Sequence, residues 1–339
     1  MNNVSESASI QTNRDTALDF VKGFLVEIMV IYHILNYFLS IRPSVLLYIN
    51  FVTGSFVFIT GYLISSIYSK KYKNDLQKQF FRLFFRGGKL LSIFLMINIA
   101  IYSMALTNYN GYKFKITELF SNIGSIFLAG SAKISAFELL VPIAYTLIAS
   151  SLLVVIKKQT LVISFTITLL LCASFFINQD TFFNLYYICI GLSGVAIGFF
   201  AKHIRLYSVT IWARVLSIVP VITYYLLIHT WVRENILFYF FGIISVLFCI
   251  YSFASLLTSK NFLVNIFDLF GKYTLICYLS QILFLQLLNR SIGGTGPTAI
   301  LLCVAFITTN LFLYVLCLLI KRLCFTNRYF DKVYSLFFG

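Results

Sequence analysis

Apolar residues fill most of this chain in runs of about 17 to 25 residues, and short polar gaps separate the runs. An α-helix of that length crosses the hydrocarbon core of a bilayer. We therefore predict an all-α, polytopic integral membrane protein with about ten transmembrane helices. Their predicted ranges are 17–39, 44–68, 88–107, 136–156, 160–177, 182–201, 208–229, 236–257, 273–289 and 297–320.

One further apolar segment, ITELFSNIGSIFLAG at 116–130, is short and polar for a span. A crossing here would invert every later helix and move the paired basic gaps at 157–158 and 321–322 outside. We therefore predict an interfacial or re-entrant helix, which is tolerated at membrane depth only where protein covers its backbone. SIGGTGP at 291–297 is predicted to be an external loop, since glycine and proline favour turns.

The chain shows no internal repeat and no linker rich in proline, glycine or serine. We therefore predict a single helical membrane domain over 14–323. A polar cytoplasmic tail at 1–13 precedes this domain, and a cytoplasmic tail at 324–339 follows it. The first tail lacks the basic n-region and the cleavage site of a signal peptide.

Composition and charge agree with a membrane protein and set its orientation. Hydrophobic residues make up 60% of the chain, charged residues 11%, and the mean hydropathy is +0.91. The formal net charge of +15 does not indicate a nucleic-acid partner, because the basic residues lie in gaps between spans. Eighteen of the 26 Lys and Arg residues fall on the predicted side of the N-terminus. The positive-inside rule then predicts that both termini are cytoplasmic, in what we expect to be a bacterial inner membrane.

The first predicted helix carries four groups that are costly inside a bilayer, at Asp19, Lys22, Glu27 and His33. At about 100° per residue, Lys22 and His33 lie within about 20° of each other on the helix. Asp19 is placed to form an i,i+3 ion pair with Lys22, whereas Glu27 points about 120 to 140° away. The pattern predicts a polar stripe along one face of this helix.

This stripe has two interpretations. Asp19 and Lys22 can form a pair at the membrane interface while His33 is a buried, hydrogen-bonding histidine. Alternatively, the stripe lines a water-filled cavity or a substrate path, as intramembrane polar groups often do. Asn36 and Tyr37 follow on the same side as His33, where they can orient its ring.

Several motifs occur in an order that resembles the membrane-bound acyltransferase 3 family and its transmembrane acyltransferase relatives. The first helix has Asp19, Lys22 followed by glycine, and His33 eleven residues after Lys22. The other similar segments are FVTGSFVFITGYLISSIY at 51–68, QFFRLFFRGGKLL at 79–91 and FGKYTLICYLSQ at 270–281. Two positions depart from the family pattern: Lys22 replaces an arginine, and Gln281 replaces a histidine.

The resemblance implies transfer of an acyl group, commonly acetyl, from cytoplasmic acyl-CoA to a hydroxyl of a cell-surface polysaccharide or its lipid-linked precursor. His33 is the expected general base or transient acyl carrier, with Lys22 and Asp19 completing the catalytic group. Acyl-CoA is then a co-substrate, and no permanently bound cofactor is expected.

A cationic segment between the second and third predicted spans suits the phosphates of CoA. It carries seven Lys and Arg residues between 70 and 89, and Lys22 with Arg82, Arg86 and Lys89 are the candidate phosphate ligands. The same segment is also what positive-inside topology or contact with anionic lipid predicts.

The remaining candidates concern the acceptor and metals. Asn36, Tyr37, Glu138 and Gln281 are candidate acceptor-binding residues, although Glu138 also fits a simple interfacial position. No HExxH motif, Cys/His cluster or phosphate-binding GxxxxGK[ST] loop is present in the sequence, so we predict neither a metal nor ATP-driven pumping.

Two other functions are compatible with the sequence. A helical bundle with a polar cavity can serve as a transporter or flippase, although the repeats typical of transporters are absent from the sequence. The same fold can also be a non-catalytic partner in polysaccharide export. The lipid bilayer, acyl-CoA and a glycan acceptor are the expected partners, and the sequence leaves a homo-oligomer open.

Overall fold

The structure is a computed structural model in which nearly all described residues are helical, which confirms the all-α class. It describes residues 15–39, 46–72, 74–103, 108–109, 112–113, 121–128, 130, 137–154, 156, 158–177, 182–231, 235–257, 262–292 and 299–337. The predicted tail at 1–13 and most of the predicted loop at 291–297 lie outside these residues. One short antiparallel pair of strands joins β1 (Asn108–Tyr109) to β2 (Tyr112–Lys113).

Within the described residues, each of the ten predicted ranges overlaps at least one helix. The helices are α1 (Thr16–Leu39), α2 (Phe51–Leu63), α3 (Leu76–Ser103), α4 (Ile123–Leu128), α5 (Leu140–Val154), α6 (Gln159–Phe176), α7 (Phe183–Gly198), α8 (Ala201–Ser208), α9 (Ile211–Trp231), α10 (Ile236–Ala254), α11 (Phe262–Lys272), α12 (Thr274–Ile292), α13 (Ala299–Thr326) and α14 (Arg328–Phe337). Helix α2 continues through a π-helical turn at Ile64–Tyr68 into a last turn at Ser69–Lys71.

Among the described residues, six helices are long and apolar enough to cross a membrane, and these are α2 with its extension, α3, α6, α9, α10 and α13. The count rises to eight if two bent pairs each form one span, α7 with α8 at 76° and α11 with α12 at 92°. These helices indicate an integral membrane protein. Of the other predicted spans, α1 carries three charged residues and α5 has only 15 residues.

Two predicted boundaries differ from the structure. Helix α3 begins at Leu76 rather than near 88, because the basic segment is amphipathic and continues the helix. Asp75 caps it by accepting a hydrogen bond from the Lys78 backbone N–H at 2.9 Å. In segment 116–130, for which we predicted a helix that does not cross the membrane, the described residues include α4. Its six residues are far fewer than a span requires.

Contacts divide the chain into two compact units. The first unit comprises residues 1–46, 208–217 and 247–339, and α1 lies at its centre, packed by α11, α12 and α13. The chain ends in this unit with α14, where the Tyr334 ring lies 5.8 Å from the Tyr273 ring. In the polar stripe of α1, Asp19 is buried, whereas Lys22, His33 and Tyr37 are half-buried.

The second unit comprises residues 47–207 and 218–246. Its tightest contact joins α2 to α7 through glycines, where a Cβ added at Gly61 would lie 1.8 Å from the backbone oxygen of Gly191. A Cβ at Gly194 would likewise lie 2.2 Å from the backbone oxygen of Phe58. Small residues that let two helix backbones approach this closely are typical of packing inside membranes.

Several helices expose large apolar side chains. In α6, Phe165, Leu171 and Phe175 are exposed, Phe175 to 82%. Trp212 and Leu226 are likewise exposed on α9. Such continuous apolar faces would be unfavourable in water and fit contact with lipid chains.

Candidate functional site

Helix α1 is held at its start by a cap and a tyrosine. Asp15 precedes the helix, and its Oδ1 accepts a hydrogen bond from the Leu18 backbone N–H at 3.2 Å. The other oxygen, Oδ2, accepts one from the Tyr251 hydroxyl at 2.8 Å. This cap satisfies an N–H group that has no partner within the helix, and it fixes where α1 begins.

Reciprocal glycine contacts then press α1 against α11. A Cβ added at Gly23 would lie 1.9 Å from the backbone oxygen of Phe267, and one at Gly271 would lie 1.8 Å from the backbone oxygen of Asp19. Neither helix has room for a larger residue at these points. The glycine after Lys22, noted in the sequence as part of a family motif, therefore has a packing reason of its own.

Asp19 and Lys22 form the predicted ion pair. The Lys22 Nζ lies 2.6 Å from the Asp19 Oδ1, and the two side chains are 16% and 5% exposed. This confirms the i,i+3 pairing expected from the sequence. Because both groups are largely buried, removing one would leave the other charge in an apolar environment.

His33 lies about 16 Å along the helix axis from Lys22, given a rise of about 1.5 Å per residue. Its ring stacks on Tyr37 at 5.8 Å with an interplanar angle of 16°, and Tyr32 lies edge-on at 5.2 Å. The His33 Nδ1 atom is buried and has no hydrogen-bond partner among the described residues. Tyr37 orients the ring by stacking, and its hydroxyl accepts a hydrogen bond from the Gln286 Nε2 at 3.4 Å. Asn36 is half-buried one turn after His33.

Glu27 faces a different neighbour, as its angular position predicted. Asn310 on α13 and Cys277 on α12 both lie close enough to the Glu27 carboxylate to interact with it. Gln281, one turn after Cys277, is fully buried, and neither amide atom has a partner in the described structure. The first unit thus contains both Gln281 on α12 and the predicted group on α1, but Lys22 and His33 lie about 16 Å apart along that helix.

The predicted phosphate ligands belong to the second unit and are preoriented by two tyrosines. Arg82 donates a hydrogen bond from Nη1 to the Tyr72 hydroxyl at 2.7 Å, and Arg86 donates one to the Tyr68 hydroxyl. The guanidinium groups lie 5.7 and 5.8 Å from the centroids of these same rings. Lys89 follows three residues later on the same helix. Stacked, tyrosine-held guanidinium groups suit a planar or phosphate-bearing ligand.

Sequence reasoning missed Tyr68 and Tyr72. Tyr68 and Tyr72 are four residues apart, as are Arg82 and Arg86. This equal spacing was the signal in the sequence that could have matched each tyrosine with one arginine. Their rings also stack on each other at 6.4 Å. Pairing them still required knowing that the end of the π-helical turn lies against the start of α3.

The last acceptor candidate, Glu138, lies in the second unit, half-buried just before α5. The preceding residue, Phe137, has φ 62°, an unusual left-handed conformation for a bulky residue. Within the described ranges, no group of three or more His, Cys, Asp or Glu residues is placed to hold a metal ion.

Comparisons of the chain with protein-family models, curated proteins and solved structures found no match.

Proposed function

We propose that this protein is a membrane-bound O-acyltransferase. It transfers an acyl group, acetyl by the sequence resemblance, from cytoplasmic acyl-CoA to a hydroxyl of a cell-surface polysaccharide or its lipid-linked precursor. The observation that carries the proposal is the His33 imidazole, whose buried Nδ1 has no partner in the described chain while Tyr37 fixes the ring. An oriented imidazole with a free nitrogen is equipped to accept a proton.

In the proposed reaction, His33 takes the proton of the acceptor hydroxyl while the hydroxyl oxygen attacks the thioester carbonyl. The new C–O bond forms, the C–S bond breaks, and the proton passes to the leaving thiolate, which yields the ester and free CoA. In the second version of the mechanism, an imidazole nitrogen of His33 first attacks the thioester carbonyl, the C–S bond breaks and the CoA thiolate leaves. The acceptor oxygen then displaces the imidazole from the acyl group, and the hydroxyl proton goes to the released thiolate. Rapid quenching with radiolabelled acetyl-CoA distinguishes the two, since only the second labels the protein.

Lys22, paired with Asp19, is proposed to direct its positive charge toward an anionic group of the donor. Arg82 and Arg86 are proposed to bind the nucleotide phosphates, and Tyr68 and Tyr72 keep their guanidinium groups oriented. The alternative, contact with anionic lipid, needs only the charge and not the planar geometry of arginine.

We further propose ten spans with both termini cytoplasmic in a bacterial inner membrane. This adds α1 and α5 to the six long helices and the two bent pairs, and the distribution of Lys and Arg supports it. Reporter fusions at the polar gaps test the orientation, and a C-terminus found outside would refute it. Membrane fractionation tests the location.

The test of function is the ester content of purified surface glycan from cells that lack the gene. The cells are complemented at matched membrane levels with wild type, His33→Ala, or His203→Ala, a control at an exposed histidine of α8. We expect wild type and His203→Ala to restore the ester and His33→Ala to lose at least 99% of it. If His33→Ala restores the ester fully, the mechanism is wrong. If no ester depends on the gene, a transport or partner role replaces the enzyme.

A further inference from the structure

The π-helical turn at Ile64–Tyr68 is closed by a single serine. A π-helix bonds each backbone N–H to the oxygen five residues back, and such turns are rare and often lie at functional sites. Here the Ser69 backbone N–H donates to the Ile64 oxygen. The Ser69 hydroxyl donates to the same oxygen at 3.2 Å. One residue therefore supplies two hydrogen bonds that hold the chain in the wider turn.

Gln79, in the first turn of α3, holds that serine in place. Its Nε2 donates to the Ser69 Oγ at 3.1 Å, and Gln79 is only 1% exposed. An amide nitrogen can only donate, so the Ser69 oxygen accepts this bond and directs its own hydrogen to Ile64. A buried amide that lost its partner would be unfavourable, which keeps α3 against the turn.

The two tyrosines that bond the arginines depend on this turn. Tyr68 is its last residue, and Tyr72 follows one α-helical turn later. The extra residue of a π-helical turn rotates all later side chains by about 100° relative to an uninterrupted α-helix. Tyr72 and Tyr68 reach Arg82 and Arg86 in this rotated position. Loss of the turn would therefore carry both rings away from the guanidinium groups.

The connection between the turn and α3 is short and hydrogen-bonded. The Tyr72 backbone N–H donates to the Tyr68 oxygen at 2.9 Å, and the Asp75 backbone N–H donates to the Tyr72 oxygen at 2.9 Å. Helix α3 begins at the next residue, Leu76. The bond from Gln79 to Ser69 therefore closes a compact hairpin, all of it within the second unit.

We infer that Gln79 is a positioning residue, which acts through Ser69 to hold the π-helical turn and so sets Tyr68 and Tyr72 against the arginines of α3. The positioning requires no ligand. Only the identification of the bound ligand with the phosphates of acyl-CoA rests on the proposed function.

The test measures how firmly the arginines are held, without catalysis. The full chain in lipid nanodiscs is treated with phenylglyoxal, which modifies guanidinium groups, and mass spectrometry gives the modification rate at each arginine. The double variant Tyr68→Phe with Tyr72→Phe lacks both phenolic hydroxyls and gives the rate of released guanidinium groups. Arg205, an exposed arginine of α8 in the same unit, is the internal reference.

In the double tyrosine variant, Arg82 and Arg86 should react about tenfold faster than in wild type, because each loses a charge-assisted hydrogen bond. Gln79→Leu and Ser69→Ala should each raise both rates about threefold or more. Combining them should add little to the larger single effect, because both changes break the same chain of hydrogen bonds. Ser69→Thr keeps the hydroxyl and should retain the wild-type rates.

Asn98→Leu is the matched control for Gln79→Leu. Asn98 is also a fully buried amide of α3, but its Nδ2 donates to the Phe94 backbone oxygen at 2.9 Å within the same helix. Its loss should leave the rates at Arg82 and Arg86 unchanged. Only variants that elute as a single monodisperse species are compared, and Gln79→Met replaces Gln79→Leu if the latter does not.

Wild-type arginine rates in both Gln79→Leu and Ser69→Ala would overturn the inference. An equal rise in Ser69→Thr or in Asn98→Leu, or a parallel rise at Arg205, would also overturn it, because the effect would then come from general loss of packing.

A second arm adds CoA to the wild-type protein and separates this inference from the proposed function. Slower modification of Arg82 and Arg86 would support binding of the donor phosphates. Unchanged rates would refute that assignment and leave the release of the arginines by Gln79→Leu intact. Conversely, protection by CoA without any release in Gln79→Leu would overturn the inference alone.

Discussion

Replacing Gly23 by alanine tests whether the close contact of α1 with α11 stabilises the first unit. The added Cβ would lie 1.9 Å from the Phe267 backbone oxygen and 2.6 Å from its carbonyl carbon. Ordinary contact begins at 3.4 Å, so the two helices must separate by about 1.5 Å. The obstacle is backbone, and a change of side-chain rotamer cannot relieve it.

The expected cost follows from that separation. Overpacking in a close-packed interior costs about 1 to 3 kcal/mol, and a gap larger than about 1 Å removes much of the dispersion energy along the rest of the interface. We expect Gly23→Ala to lower the free energy of unfolding by about 3 kcal/mol, which is about a hundredfold in the folded-to-unfolded ratio. Gly271→Ala should act similarly, because its Cβ would lie 1.8 Å from the Asp19 backbone oxygen.

The assay is an SDS titration of the purified protein in mild detergent, in which far-UV circular dichroism measures the loss of helix at each SDS concentration. Gly88→Ala is the matched control. Gly88 is also inside a helix, but its added Cβ would meet nothing within 4 Å, so alanine should leave stability unchanged or raise it by up to about 1 kcal/mol. The double variant Gly23→Ala with Gly271→Ala should cost less than the sum of its parts, because a single separation relieves both clashes. Equal unfolding midpoints for Gly23→Ala and Gly88→Ala would refute the reasoning.

Three further predictions follow from the buried pairs and the cationic segment. Asp19→Asn should destabilise the protein by about 3 to 5 kcal/mol in the same titration, because it leaves the Lys22 charge without its carboxylate. Adding Lys22→Met to this variant should recover part of the loss. Equal unfolding midpoints for the single and the double variant would contradict this. In a protein with no other cysteines, Cys277 and Cys317 should form an intramolecular disulfide under copper-phenanthroline oxidation, detected as a loss of 2 Da by intact-mass spectrometry, while neither single-cysteine protein should change. Arg86→Gln should raise the acyl-CoA KM several-fold and leave kcat unchanged, and a fall in kcat alone would assign Arg86 to the chemical step.

The contacts within α1 show how far local reasoning extends. The Asp19–Lys22 pair and the stacking of Tyr37 on His33 join residues three or four apart in one helix, so helical geometry alone placed them together. The partner of Glu27 could not be found in this way. Angular position showed only that it faces away from Lys22, and its contact with Asn310 depends on how α13 packs against α1.

The same distinction applies to Gln281. Its sequence position, in a segment similar to a family motif, suggested an acceptor-binding role but gave no environment. Complete burial and two unpaired amide atoms emerged only when α12 was packed against α1 and α13. Neither the period of a helix nor its composition specifies which of its faces lies against which neighbour.

The sequence by itself determined the helical class, the membrane environment and the positions of the apolar segments, because these depend on hydrophobic length and on hydrogen bonds within single helices. Only the tertiary structure decided that α3 starts at Leu76, that two predicted spans belong to sharply bent helix pairs, and that Tyr68 and Tyr72 hold the arginines. Only the tertiary structure, too, placed Asn310 of α13 near Glu27 of α1. Those features come from packing between segments distant in the chain, where the close approach of backbones at residues such as Gly23 and Gly271 selects one arrangement.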